Sequence, residues 1–122
     1  ILIVEDQEDL RDAIADALRM AGHEVVAADG GDQALAALDD AITPFDVLLT
    51  DLVMPRLSGR ELAEQVQARW PKVQVMFMSG YDRDLLADAA RELRGDIAVL
   101  RKPFSIGELE RRVAQLVRTA RG

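Results

Sequence analysis

Cysteine is absent from the 122 residues, which excludes disulfides, thiolate metal sites and cysteine nucleophiles and permits a reducing compartment. Histidine occurs once, as His23 at the turn before the second apolar run, and is expected to be a surface residue. No apolar run approaches the roughly 20 residues of a membrane-spanning helix, and Ile1 to Val4 is far too short for the apolar region of a signal peptide. A soluble, cytoplasmic chain with no membrane partner is the expectation. Positive charge is in short supply: 15 Lys plus Arg stand against 22 Asp plus Glu, a net charge of -7 that repels a phosphate backbone and argues against direct nucleic-acid binding. Acid sites, cations and protein partners fit this balance better. Linkers, low-complexity segments and repeats are missing too, so residues 1–122 are expected to form a single domain around one core.

Five short apolar runs are present, Ile1 to Val4, Val25 to Ala28, Val47 to Thr50, Val73 to Met78 and Ile97 to Leu100, each reading as a buried strand. The stretches between them carry helical periodicity. Leu10, Ile14, Ala17, Leu18 and Ala21 form one stripe of a helix from about Glu8 to Ala21, with Arg11, Asp12, Asp16 and Arg19 opposite and Gly22 ending it. Ala34, Leu35, Leu38 and Ile42 mark a second stripe. Leu62, Val66 and Trp70 mark a third, closed by Pro71. Leu85, Leu86, Ala89, Ala90 and Leu93 mark a fourth, and Ile106, Leu109, Val113, Leu116 and Val117 a fifth. Strand and helix in alternation imply a parallel sheet of α/β class. Such sheets bind ligands at the carboxyl ends of their strands. Glu5 and Asp6 stand just past the first run, Asp51 past the third, Ser79 past the fourth and Lys102 past the fifth.

Three carboxylates at one edge repel one another unless a cation neutralises them. Mg²⁺ takes oxygen ligands and is commonly held by one or two carboxylates beside a phosphate, which suits this set. The plainer alternative makes Glu5 and Asp6 caps of the first helix. Asp51 has no such use, because Met54, Pro55 and Gly59 follow it in a loop. Ser79 and Gly80 put a hydroxyl and a permissive amide at the same edge, where either phosphate binding or simple turn chemistry accounts for them. Lys102 is one of two lysines and precedes Pro103, a bond that admits a cis peptide aiming the ammonium inward.

Glu5-Asp6, Asp51-Leu52-Val53-Met54-Pro55-Arg56-Leu57-Ser58-Gly59, Ser79-Gly80 and Lys102-Pro103-Phe104 together resemble a response-regulator receiver domain, the phosphoacceptor module of two-component signalling. The resemblance runs through the whole chain. It implies a flavodoxin-like (βα)5 fold with a five-stranded parallel sheet of order 2-1-3-4-5 and helices on both faces. It implies that Asp51 is phosphorylated by a phosphohistidine on a sensor histidine kinase or a histidine phosphotransfer protein. Asp6, Asp51 and the carbonyl of Val53 would then ligate Mg²⁺, with Glu5 acting directly or through water. Ser79 would bond a phosphoryl oxygen and Lys102 would pair with its charge. Such a domain is no separate enzyme; it catalyses only its own phosphorylation and dephosphorylation. Docking of the partner's helical bundle falls to Gln7, Leu10, Ala13, Ile14, Pro103 and Phe104, and pairing with a second copy to the fourth and fifth stripes and the fifth strand.

Receivers usually carry an aromatic residue three positions before the site lysine, and Val99 stands there, so the usual rotor is missing. Tyr81 is expected to border the site. The segments Phe77 to Asp82 and Leu100 to Phe104 also resemble receivers at the carboxyl end of hybrid sensor histidine kinases. The chain begins inside the first strand without Met, so residues of a longer parent, itself a kinase in that case, are expected upstream. A Mg²⁺-dependent aspartyl-nucleophile phosphohydrolase is disfavoured by Val53, where such enzymes carry a second aspartate. A nucleotide or flavin module is disfavoured because Glu5-Asp6-Gln7 replaces a glycine-rich phosphate loop.

Overall fold

The computed structural model describes residues 1–42, 44–80 and 98–122. The strands are β1 (Leu2–Val4), β2 (Val26–Ala28), β3 (Val47–Asp51), β4 (Gln74–Ser79) and β5 (Ala98–Arg101), and the described helices are α1 (Glu8–Met20), α2 (Gly31–Asp40), α3 (Gly59–Arg69) and α4 (Ile106–Arg121). The strands pair in parallel in the order β2-β1-β3-β4-β5, the flavodoxin-like arrangement. The fourth helical stripe, Leu85 to Leu93, lies outside the described residues together with Tyr81 and Ile97.

Parallel strands covered on both faces must be apolar on both, which is why the runs are continuous rather than alternating. Ile1 and Ile3, Val47 and Leu49, Met76 and Met78 join Ile14 and Leu18 of α1 and Leu109 and Val113 of α4 in one core. Leu2, Val4 and Leu48 face the other way, onto Ala34 and Leu38 of α2 and Leu62 and Val66 of α3. Helices thus cover both faces. Strand ends differ from the apolar runs by one residue: Asp51 and Ser79 are the last residues of β3 and β4, not the first beyond them. Their backbones are therefore held in the ladder.

Helix ends follow local chemistry. Gly22 takes φ +96°, and the amides of Gly22 and His23 close the last turn of α1 on the carbonyls of Arg19 and Leu18, at 3.0 and 3.1 Å. α3 opens on a reciprocal cap: Ser58 Oγ accepts from the Glu61 amide at 3.2 Å, and Glu61 Oε1 accepts from the Ser58 amide. α2 stops at Asp40, and Ala41 is extended with ψ 128°, so Ile42 leaves the helical period and is 101% exposed, contrary to its place in the second stripe. Ala21 likewise falls at the cap of α1 and is exposed. Trp70 caps α3, half-buried against the α2–α3 core, with the Arg69 guanidinium 4.3 Å from its ring centre. Among the described residues no helix is long and apolar enough to cross a membrane.

Candidate functional site

The strand register assembles the site. Val4 pairs with Thr50, Asp51 with Met78, and Ser79 with Arg101, so the residues at these ends lie side by side. Pairing continues past the strands, since the Glu5 amide donates to the Ala28 carbonyl at 3.1 Å and the Lys102 amide to the Ser79 carbonyl at 2.8 Å. One carboxylate oxygen from each of Glu5, Asp6 and Asp51 comes within 4.8 Å of the other two. Lys102 Nζ stands 3.4 Å from Glu5 Oε2 and 3.3 Å from Asp51 Oδ2, and the Lys102–Pro103 peptide is cis. Ser79 is 1% exposed at the same edge, and Gly80 follows it.

The three acids are held differently. Glu5 is 1% exposed; its Oε1 accepts the Gln7 amide at 3.3 Å and its backbone carbonyl accepts Arg11 Nη1 at 3.0 Å. Asp51 Oδ1 accepts the Val53 amide at 3.4 Å. Asp6 is exposed and takes no hydrogen bond among the described residues. Gln7, not an acid, is the N-cap of α1, and Glu8 and Asp9 occupy its first turn, so Glu5 and Asp6 are not the helix caps that the plainer alternative makes them.

Burial, and then the Asp51 carboxylate, push the Glu5 carboxyl from its ordinary 4.5 up to about 7, against the pull of Lys102. Between those values the metal-free folded state holds a proton that the unfolded chain has released. Stability must therefore fall as pH rises through that window, by on the order of 3 kcal/mol at most. His23, whose pKa burial lowers, works in the opposite direction, so the contribution is isolated against a Glu5→Gln variant. In EDTA, the melting temperature of the parent should drop relative to Glu5→Gln between about pH 5 and pH 7.5. Parallel profiles would mean that Glu5 is ionised throughout.

The donor set is all oxygen and its charge is only partly compensated by Lys102, which fits a hard divalent cation. Of the expected docking residues, Gln7, Ala13 and Pro103 are exposed, while Leu10 and Phe104 are half-buried against the α1–α4 core. Ile14 is a correction: it is 1% exposed, turned into the core by the same stripe that defines α1, and offers nothing to a partner. Val99 is half-buried beside Phe77 in the ladder. Arg11, the Gln7 amide and the close approach of Gly59 to Asp51 escaped the sequence reading. The glycine eight residues past Asp51 is visible in the chain, but its contact is not.

Known proteins share this fold and much of this sequence. The family model for the response regulator receiver domain matches residues 1–114. The response regulator receiver protein CpdR of Brucella abortus is 36% identical over 120 residues, covering 96% of this chain and 95% of that protein. The sensor kinase CckA of the same organism is 31% identical over 119 residues, 96% of this chain but 12% of the kinase, so the match there is to a small part of a longer protein. The solved receiver domain of NtrX from Brucella abortus superposes with a TM-score of 0.84 at 30% identity, covering 97% of this chain and 98% of that one. With the 2-1-3-4-5 sheet, the acidic edge and the lysine opposite already in place, the match over nearly the full length makes the chain a member of the response regulator receiver domain family of two-component systems.

Proposed function

We propose that residues 1–122 act as one phosphoacceptor unit in which Asp51 takes a phosphoryl group from a phosphohistidine of a sensor histidine kinase or histidine phosphotransfer protein. The observation that carries the reading is the convergence of Glu5, Asp6 and Asp51 with the Lys102 ammonium bridging two of them. Receiver domains in general bind Mg²⁺ at such an acidic pocket and receive from such partners. Here Asp6, Asp51 and the Val53 carbonyl would hold the ion, with Glu5 beside it. When bound, Mg²⁺ supplies positive charge to the oxygens of the transferring phosphoryl group.

One Asp51 carboxylate oxygen attacks phosphorus, the phosphorus–nitrogen bond of the donor breaks, and the imidazole leaves. Lys102 meets the charge that arrives on Asp51, and the Ser79 hydroxyl and Gly80 amide lie at the edge where a phosphoryl oxygen can be bonded. Beyond the nucleophile the protein supplies positioning and electrostatics, and because the phosphoryl group comes to rest on its own Asp51 the domain modifies itself. Gln7, Leu10, Pro103 and Phe104 border the entry and form the docking surface in this reading.

Incubation with acetyl phosphate and Mg²⁺ should add one phosphoryl mass to the intact chain, and EDTA should prevent it; no increment under any condition overturns the proposal. Lys102→Ala should bind Mg²⁺ about as well as the parent yet accept the phosphoryl group about 100-fold more slowly, as expected for loss of one preorganised charge. Equal loss of metal binding and phosphorylation would assign Lys102 a structural role instead.

A further inference from the structure

We infer that Arg11 is a positioning residue for Asp6: by holding the Glu5 carbonyl, its guanidinium orients the Glu5–Asp6 peptide and so aims the Asp6 carboxylate at the other two acids. The inference rests on the reading of this edge as a Mg²⁺ site.

Glu5 is tied by its amide to Ala28, by its side chain to the Gln7 amide and Lys102, and by its carbonyl to Arg11. Asp6 has no hydrogen bond of its own among the described residues and is exposed, so its direction is inherited from the peptide that precedes it. Of the ties on that peptide, only the Arg11 bond, at 3.0 Å, grips its oxygen among the described residues. Arg11 also forgoes an ion pair: Glu8 lies three residues before it on the same face of α1, yet among the described residues Arg11 forms no ion pair with it and sits half-buried, turned back onto a neutral carbonyl. A charged donor on a carbonyl makes a stronger bond than two neutral groups, and losing a hydrogen-bonding support around a metal ligand typically costs about 10- to 100-fold in metal affinity.

Charge alone and positioning predict opposite signs. A guanidinium near three carboxylates repels a divalent cation, so if charge were its whole effect, deleting it would tighten Mg²⁺ binding. If it aims Asp6, deleting it weakens binding. Arg11→Met keeps the apolar stem and removes the donor; Arg11→Lys keeps charge and one donor. Titrating Mg²⁺ by calorimetry into each folded protein, without any phosphodonor, should give a Kd raised about tenfold for Arg11→Met and largely restored for Arg11→Lys. Circular dichroism confirms the fold of each variant, and if Arg11→Met does not fold, a Kd for Arg11→Lys raised by less than that of the donor-free Arg11→Ala decides the matter in the same way. Mg²⁺ binding that is unchanged or tighter in the variants lacking the donor overturns the inference while leaving the site intact. Absence of Mg²⁺ binding in the parent overturns the site and this inference together.

Discussion

Asp51→Asn, incubated with acetyl phosphate or a cognate phosphohistidine donor and Mg²⁺, will gain no phosphoryl group while the parent gains one. An amide matches a carboxylate in shape but has no anionic oxygen to attack phosphorus and cannot form the acyl phosphate, so the loss should exceed about 1,000-fold, or about 4 kcal/mol of barrier. The fold should persist. Asp51 Oδ1 accepts the Val53 amide at 3.4 Å and Oδ2 accepts from Lys102 at 3.3 Å; the one oxygen of Asn can keep one of these bonds, and the part-buried edge loses the other while the core beneath it is untouched. One consequence checks the electrostatics independently. Asp51 is the second cause, after burial, of the raised Glu5 pKa, so in Asp51→Asn the Glu5 carboxyl should titrate lower but not return to its ordinary value. Intact-mass spectrometry reads the first result and pH-dependent unfolding in EDTA the second. Full labelling of the variant at another residue would remove Asp51 from its role.

Gly59→Ala should be the most damaging glycine-to-alanine change among the described residues. A Cβ at this position would lie 2.1 Å from the Asp51 carbonyl oxygen and 2.9 Å from Leu52 Cα, both backbone atoms that cannot swing aside. The amide of Gly59 also donates to the Leu52 carbonyl at 3.0 Å, so the loop from β3 returns onto its own strand end before α3 begins. Relieving the clash means breaking that bond or displacing Asp51, and overpacking of this kind costs about 3 kcal/mol or more. Denaturant titration should show that loss, and the surviving folded protein should also bind Mg²⁺ more weakly because Asp51 moves. A stability within about 0.5 kcal/mol of the parent would mean that the loop has slack. Gly31→Ala shares part of the problem: its Cβ would meet Leu57 Cδ2, which can swing away, but also Leu57 Cβ at 2.8 Å, which moves only with its backbone.

The strands were legible because the central ones are buried on both faces and have to be apolar throughout, and the edge strands β2 and β5, though partly exposed, keep short apolar runs. Helix boundaries were legible where a residue forbids continuation, as Gly22 and Pro71 do, and uncertain where backbone alone ends the helix, as at Ala41 before the exposed Ile42. The acids, Ser79 and Lys102 stood out because polar residues ending apolar runs mark one edge of a parallel sheet. Their separate duties did not. Glu5 and Asp6 are adjacent in the chain, yet one is 1% exposed with a displaced pKa and the other is exposed and unbonded. Ile14 fits the core stripe and the docking face equally well in the chain, and only burial separates the two.

By itself the sequence determined the alternation of strand and helix, the parallel sheet and the set of residues at its carboxyl edge, since all of these follow from periodicities that span a few residues. The tertiary structure decided what those residues touch. Lys102 reaches Glu5 across 97 positions and Asp51 across 51, Arg11 turns to the Glu5 carbonyl rather than to Glu8 on its own helix face, and Gly59 folds back against Asp51. Such contacts depend on which strands are neighbours and in what register, and the free energy that sets register is summed over the whole core, so no local stretch of the chain contains it.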